Sequence, residues 1–181
     1  MKPSFNASGA SAWSHSKHKS MAKLLSADGI VAEDRTWVDA DAPSPVAGPA
    51  IYPLAYWLAH RDVLPADSGV WLDVDAEPAE FAEVIPTLAL IAIRFDAFTD
   101  GRGLSLAVLL RSRFGFRGEL RAAGSVHEDL VHYMHRCGFD SYLMRDDSDL
   151  AIARRALEVE RTTYQGSVIT PEPAYRRVAR S

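Results

Sequence analysis

Two arginines set among glycines are the residues best placed for chemistry in this 181-residue chain. Arg102 lies in the run Phe98-Thr99-Asp100-Gly101-Arg102-Gly103. Glycines on both sides let the backbone approach a ligand, and the guanidinium offers a fixed fork of donors. Arg121 is followed closely by Gly124 and Ser125. Ser125 reads as an N-cap, and free N–H groups at a helix start receive anions. Thr99, Asp100, Gly101, Arg102, Gly103, Arg121, Gly124 and Ser125 therefore form the predicted ligand-binding set. Two arginines with a helix N-terminus suit phosphate, sulfate or sulfite. An equally open alternative is that Arg102 and Arg121 merely pair with Asp96, Asp100 or Glu119.

Other chemistries fit less well. A dinucleotide fingerprint needs GxGxxG or GxGxxA directly after a strand. Here Ala107 falls one residue late, and five residues separate Phe95 from Gly101. Arg121 at the end of the next strand would be the only group positioned to meet a 2′-phosphate. His127, His132 and His135 fall on one predicted helix, but only His132 and His135 share a face at i, i+3 spacing. A partly exposed helix face explains them better than a zinc site, and no metal is expected. The single cysteine, Cys137, excludes an internal disulfide and a CxxC pair. Its place at a helix C-terminus disfavours a thiolate. Asp73, Asp75 and Asp96 follow predicted strands and could serve as acids, bases or metal ligands, although a place in surface turns explains each of them better. The sequence contains no nucleophile elbow, P-loop, HExxH or EF-hand. No cofactor can be named from these residues.

The elements that position these residues follow from hydrophobic patterning. Short apolar runs at 51–53, 69–74, 90–95, 118–122 and 139–144 read as strands buried on both faces. Helical patterns at 54–62, 77–87, 104–114, 126–137 and 148–161 alternate with them. Pro78 is tolerated in a first turn, and Gly138 stops the fourth helix. Such alternation calls for an α/β fold with a mainly parallel sheet of about five βα units and right-handed crossovers. Flavodoxin-like open order and half of a TIM-type barrel both remain open. Asp28-Gly29 between Lys23–Leu25 and Gly29–Ala32 predicts a short N-terminal β-hairpin. Ligands of such sheets bind where strands end and helices begin, which is where the Phe98–Gly103 run falls.

Composition sets the outer limits. Residues 1–20 hold six serines, three lysines and no carboxylate, and read as a disordered extension before Met21. Residues 21–164 form the predicted single α/β domain, and 165–181 a flexible tail with three arginines and one glutamate. The whole chain carries −4, so its acidity is concentrated in the domain. An acidic domain argues against nucleic-acid binding, which relies on neutralising phosphates. No apolar stretch reaches membrane-spanning length, and a cytoplasmic location is expected.

Several motifs occur together in one order: Pro53-Leu54-x-x-Trp57, Phe98-Thr99-Asp100-Gly101-Arg102-Gly103-x-Ser105, Gly118-Glu119-Leu120-Arg121-Ala122-x-Gly124 and Arg136-Cys137-Gly138-Phe139-Asp140. With Met21-Ala22-Lys23 before them, they make the chain resemble the bacterial domain-of-unknown-function family 934 over residues 21–164. That family carries the label of a probable oxidoreductase of sulfite reduction. The resemblance implies an accessory protein, or an oxidoreductase component, of assimilatory sulfite reduction within sulfate assimilation. Its alternative implication is a non-catalytic binding or assembly partner of sulfite reductase or another sulfate-assimilation enzyme. No cofactor fingerprint or cysteine pair accompanies it, so electrons would need a borrowed carrier.

Overall fold

The computed structural model describes residues 23–40, 45–97, 99–158 and 165–178. The expectation for residues 1–20, and Phe98 of the glycine run, lie outside them. The hairpin forms as the Asp28-Gly29 pair predicts. Strands β1 (Lys23–Ser26) and β2 (Gly29–Ala32) pair antiparallel, with Gly29 at φ +129°. After them come β3 (Thr36–Trp37), β4 (Ala50–Pro53), helix α1 (Leu54–His60), β5 (Gly69–Asp73) and β6 (Leu90–Phe95). Then follow α2 (Arg102–Ser112), β7 (Glu119–Gly124), α3 (Val131–Arg136), β8 (Ser141–Met144), α4 (Leu150–Glu158) and α5 (Ala174–Val178).

All eight strands form one sheet in the order β2-β1-β8-β7-β6-β5-β4-β3. Strands β3 to β8 run parallel to one another, and β1 is antiparallel to both of its neighbours, β2 and β8. The fold is α/β as expected, but the sheet exceeds five units and is not purely parallel. The two-residue β3 carried no periodic signal of its own. Parallel strands in strict sequential order also exclude a flavodoxin-like arrangement, in which the order reverses.

A half barrel is not the answer either, and chain length shows why. The two edge strands, β2 and β3, are joined by only Glu33, Asp34 and Arg35. Four peptide steps reach at most about 14 Å. The edges of a flat eight-stranded sheet would stand roughly 34 Å apart. The sheet therefore has to curl until its edges approach one another.

Curling gives the sheet an outer and an inner face. Sequential right-handed crossovers put the helices on the outer face. There Val70, Leu72, Ile91, Ile93, Phe95, Leu120, Ala122 and Tyr142 pack with Leu106, Leu110, Val131 and Met134 in the main core. Each Val, Leu, Ile, Phe or Met side chain among them contributes about 1.5–3 kcal/mol when fully buried. The alternate residues face inward. Trp37 joins two small apolar groups there, one of Leu24, Ala123 and Leu143 and one of Ile51, Leu90 and Ala92 with Trp71.

Some helices depart from expectation. The 77–87 pattern forms two short 3-10 turns, Pro78–Phe81 and Ile85–Thr87. Pro86 cannot donate within a helix and disfavours helical backbone before it. The 126–137 pattern begins with a 3-10 turn at Glu128–Leu130 before α3. In the C-terminal segment, Val168 N–H donates to Arg136 O at 3.2 Å. Gly138 (φ +103°) has no Cβ, which lets Arg111 and Val168 close over it.

At the amino end of the parallel strands, Arg111 works as a clamp. Its Nε donates to Gly138 O at 2.9 Å and Nη1 to Phe116 O and Gly118 O at 3.0 and 2.9 Å. Its Nη2 bonds the Asp140 carboxylate, which also accepts Leu120 N–H at 2.8 Å. The Gly118 and Gly138–Asp140 motifs are thus explained by the way α2 is fastened beneath β7 and β8.

Candidate functional site

The loops that follow β6 and β7 are neighbours, because those strands pair in parallel. Ser125 N–H donates to Phe95 O at 2.8 Å, and its hydroxyl donates to Asp96 O at 3.0 Å. Ser125 thus ties the two loops together and caps no helix. The helix start expected there lies further on, since its hydrogen-bonding groups are spent on this tie. Gly124 has φ +87°, and a Cβ would stand 2.3 Å from Phe95 O. Close backbone packing demands this glycine.

The glycine run resolves in a similar way. Gly103 lies in the first turn of α2, where a Cβ would come within 2.6 Å of the Phe95 ring and 3.0 Å of Val74. Its role is to seat α2 on the ends of β5 and β6. Gly101 has ordinary backbone (φ −71°) and open space around it. Thr99 is exposed beside it. Asp100 accepts the Arg102 backbone N–H at 3.1 Å, and both its oxygens accept Arg102 Nε, at 3.0 and 3.2 Å. Arg102 Nη2 adds a bond of 2.7 Å. These Arg102 bonds hold the Asp100 carboxyl below its usual range.

Arg121 does not join this edge. Strand β7 runs on through Ala122 and Ala123 to Gly124 because those residues extend the ladder with β6. Arg121 therefore sits in mid-strand, between Ala92 and Ser141, facing the interior of the curl. Its side chain is 3% exposed. Its Nη1 pairs with Glu33, its Nη2 with Glu119 at 2.8 Å, and its Nε with Glu119 and Ser141 at 3.0 and 3.3 Å. Ser141 in turn donates to Glu119. A guanidinium removed from water requires such saturation.

A third arginine, missing from the predicted set, does reach the carboxyl mouth. Arg94 lies on the inner face one residue before the end of β6, directly opposite Asp73 of β5. Its Nη2 is 2.6 Å from Asp73 Oδ1, its Nε is 3.9 Å from Asp96 Oδ1, and its guanidinium lies 4.4 Å over the Trp71 ring. The Trp71 indole N–H donates to Val38 O at 3.0 Å, fixing the ring. The signal for Arg94 was present in the sequence: one charge breaks the apolar run Leu90–Phe95.

Around the mouth, loops after the parallel strands carry Asp73, Asp75, Asp96, Asp100, Glu128 and Asp147 against Arg94, Arg102 and Arg145. Arg145 donates twice to Asp147, at 2.9 and 2.8 Å, and lowers its pKa. His127 lies 3.4 Å from Glu128. Carboxylates thus outnumber arginines on this rim, and each arginine already has a carboxylate beside it.

The remaining candidates are structural. His132 Nδ1 lies 3.3 Å from Ala156 O, joining α3 to α4, and His135 Nδ1 lies 3.2 Å from Phe139 O. Cys137 is buried, and burial pushes its thiol pKa up. Among the described residues no three His, Cys, Asp or Glu side chains converge as metal ligands would. None of their helices is long and apolar enough to cross a membrane.

Comparison with curated proteins and with solved structures finds no match. A family match does exist, and it spans the elements just described: β5 to β8 with their loops, the Arg111 clamp, Arg94, Arg121 and the glycine run all fall within it. Over residues 69–175 the chain belongs to the family described as bacterial protein of unknown function, DUF934.

Proposed function

We propose that this protein serves assimilatory sulfite reduction as a non-catalytic binding partner, docking through its acidic carboxyl rim onto sulfite reductase or another sulfate-assimilation enzyme. The pathway comes from the motif resemblance, and the mode of action from the charges. The observation that carries it is that Arg102 and Arg121, the two arginines expected to hold an oxyanion, are neutralised internally by Asp100 and by Glu33 with Glu119. An approaching sulfite would compete with carboxylates already in place. A basic surface on a protein partner would instead find Asp96 and Asp147, which are largely exposed. Charge complementarity of this kind speeds and selects association.

The test is direct. Purified protein is mixed with the host's sulfite reductase, and complex formation is followed by sedimentation at low and high salt. The expected complex weakens as salt rises, and Asp96→Lys with Asp147→Lys abolishes it. A deletion strain is expected to need cysteine, and the double variant is expected to fail to restore growth on sulfate. Sulfite binding that depends on Arg102, with no complex formed, would establish the oxyanion edge instead.

A further inference from the structure

The chain enters its own fold at the acidic rim. Strand β1 runs antiparallel to β8, and its first residue, Lys23, lies opposite Met144, the last residue of β8. The chain before Lys23 therefore joins the fold at the carboxyl mouth, beside Arg145, Asp146 and Asp147. The stretch that joins there is basic. Residues 1–20 hold Lys2, Lys17 and Lys19 and no carboxylate, with His15 and His18 in the same run. The rim it meets has negative charge to spare. Asp75, Asp129 and Asp146, which follow β5, β7 and β8, are exposed and form no ion pair among the described residues.

We propose that the basic run from His15 to Lys19 lies across this chain's own rim and competes there with the protein partner. The inference rests on the reading of the rim as a docking surface and adds its regulation. Reach permits it. Extended chain from Lys17 to Lys23 spans about 20 Å. The loops after β8, β7 and β6 stand within three strand spacings of β1, about 14 Å. Attachment through β1 also holds the run at an effective concentration on the order of millimolar, so weak exposed ion pairs suffice. Other occupants fit less well. A free anion would meet an excess of carboxylates, and among the described residues no three of these converge as metal ligands would. A basic surface on sulfite reductase, or on another sulfate-assimilation enzyme, must then displace the run before it docks. Displacement makes docking selective for a strongly basic surface.

The full chain tests this. A nitroxide is attached at Ser16→Cys, Cys137 being buried, and the amide signals of the rim are followed by NMR. Signals of Asp96, Asp129 and Asp146 are expected to broaden at low salt and to recover at high salt. Lys17→Gln with Lys19→Gln should relieve the broadening at Asp96 and Asp129. The same double variant should bind sulfite reductase about fivefold more tightly, the change expected for two exposed ion pairs. Arg113→Gln with Arg117→Gln removes equal charge from exposed positions at the amino end of the parallel strands, and should leave that affinity unchanged. Broadening confined to Asp146, beside the point of attachment, would overturn the proposal. So would equal broadening in an unlabelled chain mixed with the labelled one, which makes the contact one between copies. Equal tightening by the two double variants would overturn the competition. If no chain forms a complex, the docking reading fails, and the broadening pattern alone decides whether the run occupies the rim.

Discussion

Arg121 and Arg94 lie on the same inner face of the same sheet, on adjacent strands, and have opposite environments. Arg121 is 3% exposed and donates to two glutamates and a serine. Arg94 is 21% exposed, pairs with Asp73 at 2.6 Å and rests on a tryptophan, and its Nε has no aligned acceptor among the described residues. Height along the strands separates them. Mid-strand, Glu33 arrives from the connector between the sheet edges and completes the Arg121 network. One residue before the strand end, side chains from the hairpin connector no longer reach, and the arginine faces the open mouth. The deep arginine fastens the curl, and the shallow one pairs with Asp73 over the Trp71 face close to solvent.

The sharpest way to break this comparison is Arg121→Ala. It leaves Glu33 and Glu119 facing each other unpaired in the interior, and an expected loss of about 3–5 kcal/mol should appear in urea unfolding. An Arg121→Met variant should recover part of that loss, since replacing the charge by apolar volume relieves the desolvation. If Arg121→Ala unfolds at the wild-type midpoint, the deep network does not fasten the sheet.

A second test uses the outer face. Burial holds the Tyr142 hydroxyl, which donates to Phe139 O at 3.0 Å, and the Cys137 thiol protonated. Both folded pKa values lie above their unfolded ones. Their contribution is therefore complete below the ordinary thiol and phenol values, about 8.5 and 10, and is lost as pH rises beyond them. Stability measured from pH 8 to 11 should fall, and Tyr142→Phe should flatten the upper part of that fall. At neutral pH the same variant should cost about 1 kcal/mol for the lost hydrogen bond.

Arg94→Ala should have a smaller effect on stability, about 1 kcal/mol or less, because its ion pair is partly exposed. Asymmetry between the two arginines, one with a large effect on stability and the other with a small one, is the outcome that sharpens the comparison. Arg102→Ala should have the least effect. Arg102 is 64% exposed and its side chain bonds Asp100, two residues before it, so the thermal midpoint should not move measurably. A clear drop would show that the Asp100–Arg102 turn seats α2 more firmly than Gly103 packing does.

Much of this organisation was legible in the chain. Asp28-Gly29 announced the hairpin, and the apolar runs from Gly69 to Met144 announced parallel strands. The Gly118 and Gly138–Asp140 motifs stood out as a pattern, and Arg111 explains them. The glycines and arginines of the predicted site are harder to read, because they look alike in sequence whether they serve a ligand or the fold. Gly103 and Gly124 prove to be packing glycines through contacts with Phe95, which no local pattern encodes. Arg94 was overlooked, although a lone charge within Leu90–Phe95 pointed to it.

By itself the sequence determined what depends on nearest neighbours: the strand periodicity, most of the helices, the turn chemistry at Asp28-Gly29 and an acidic domain. The tertiary structure decided which charges meet. Glu33 and Arg121 are 88 residues apart and come together only because a three-residue connector curls an eight-stranded sheet. Periodicity records which side of a strand is buried. Closure of the sheet determines what lies opposite that side, and so which arginine is buried in a carboxylate network and which stays near solvent.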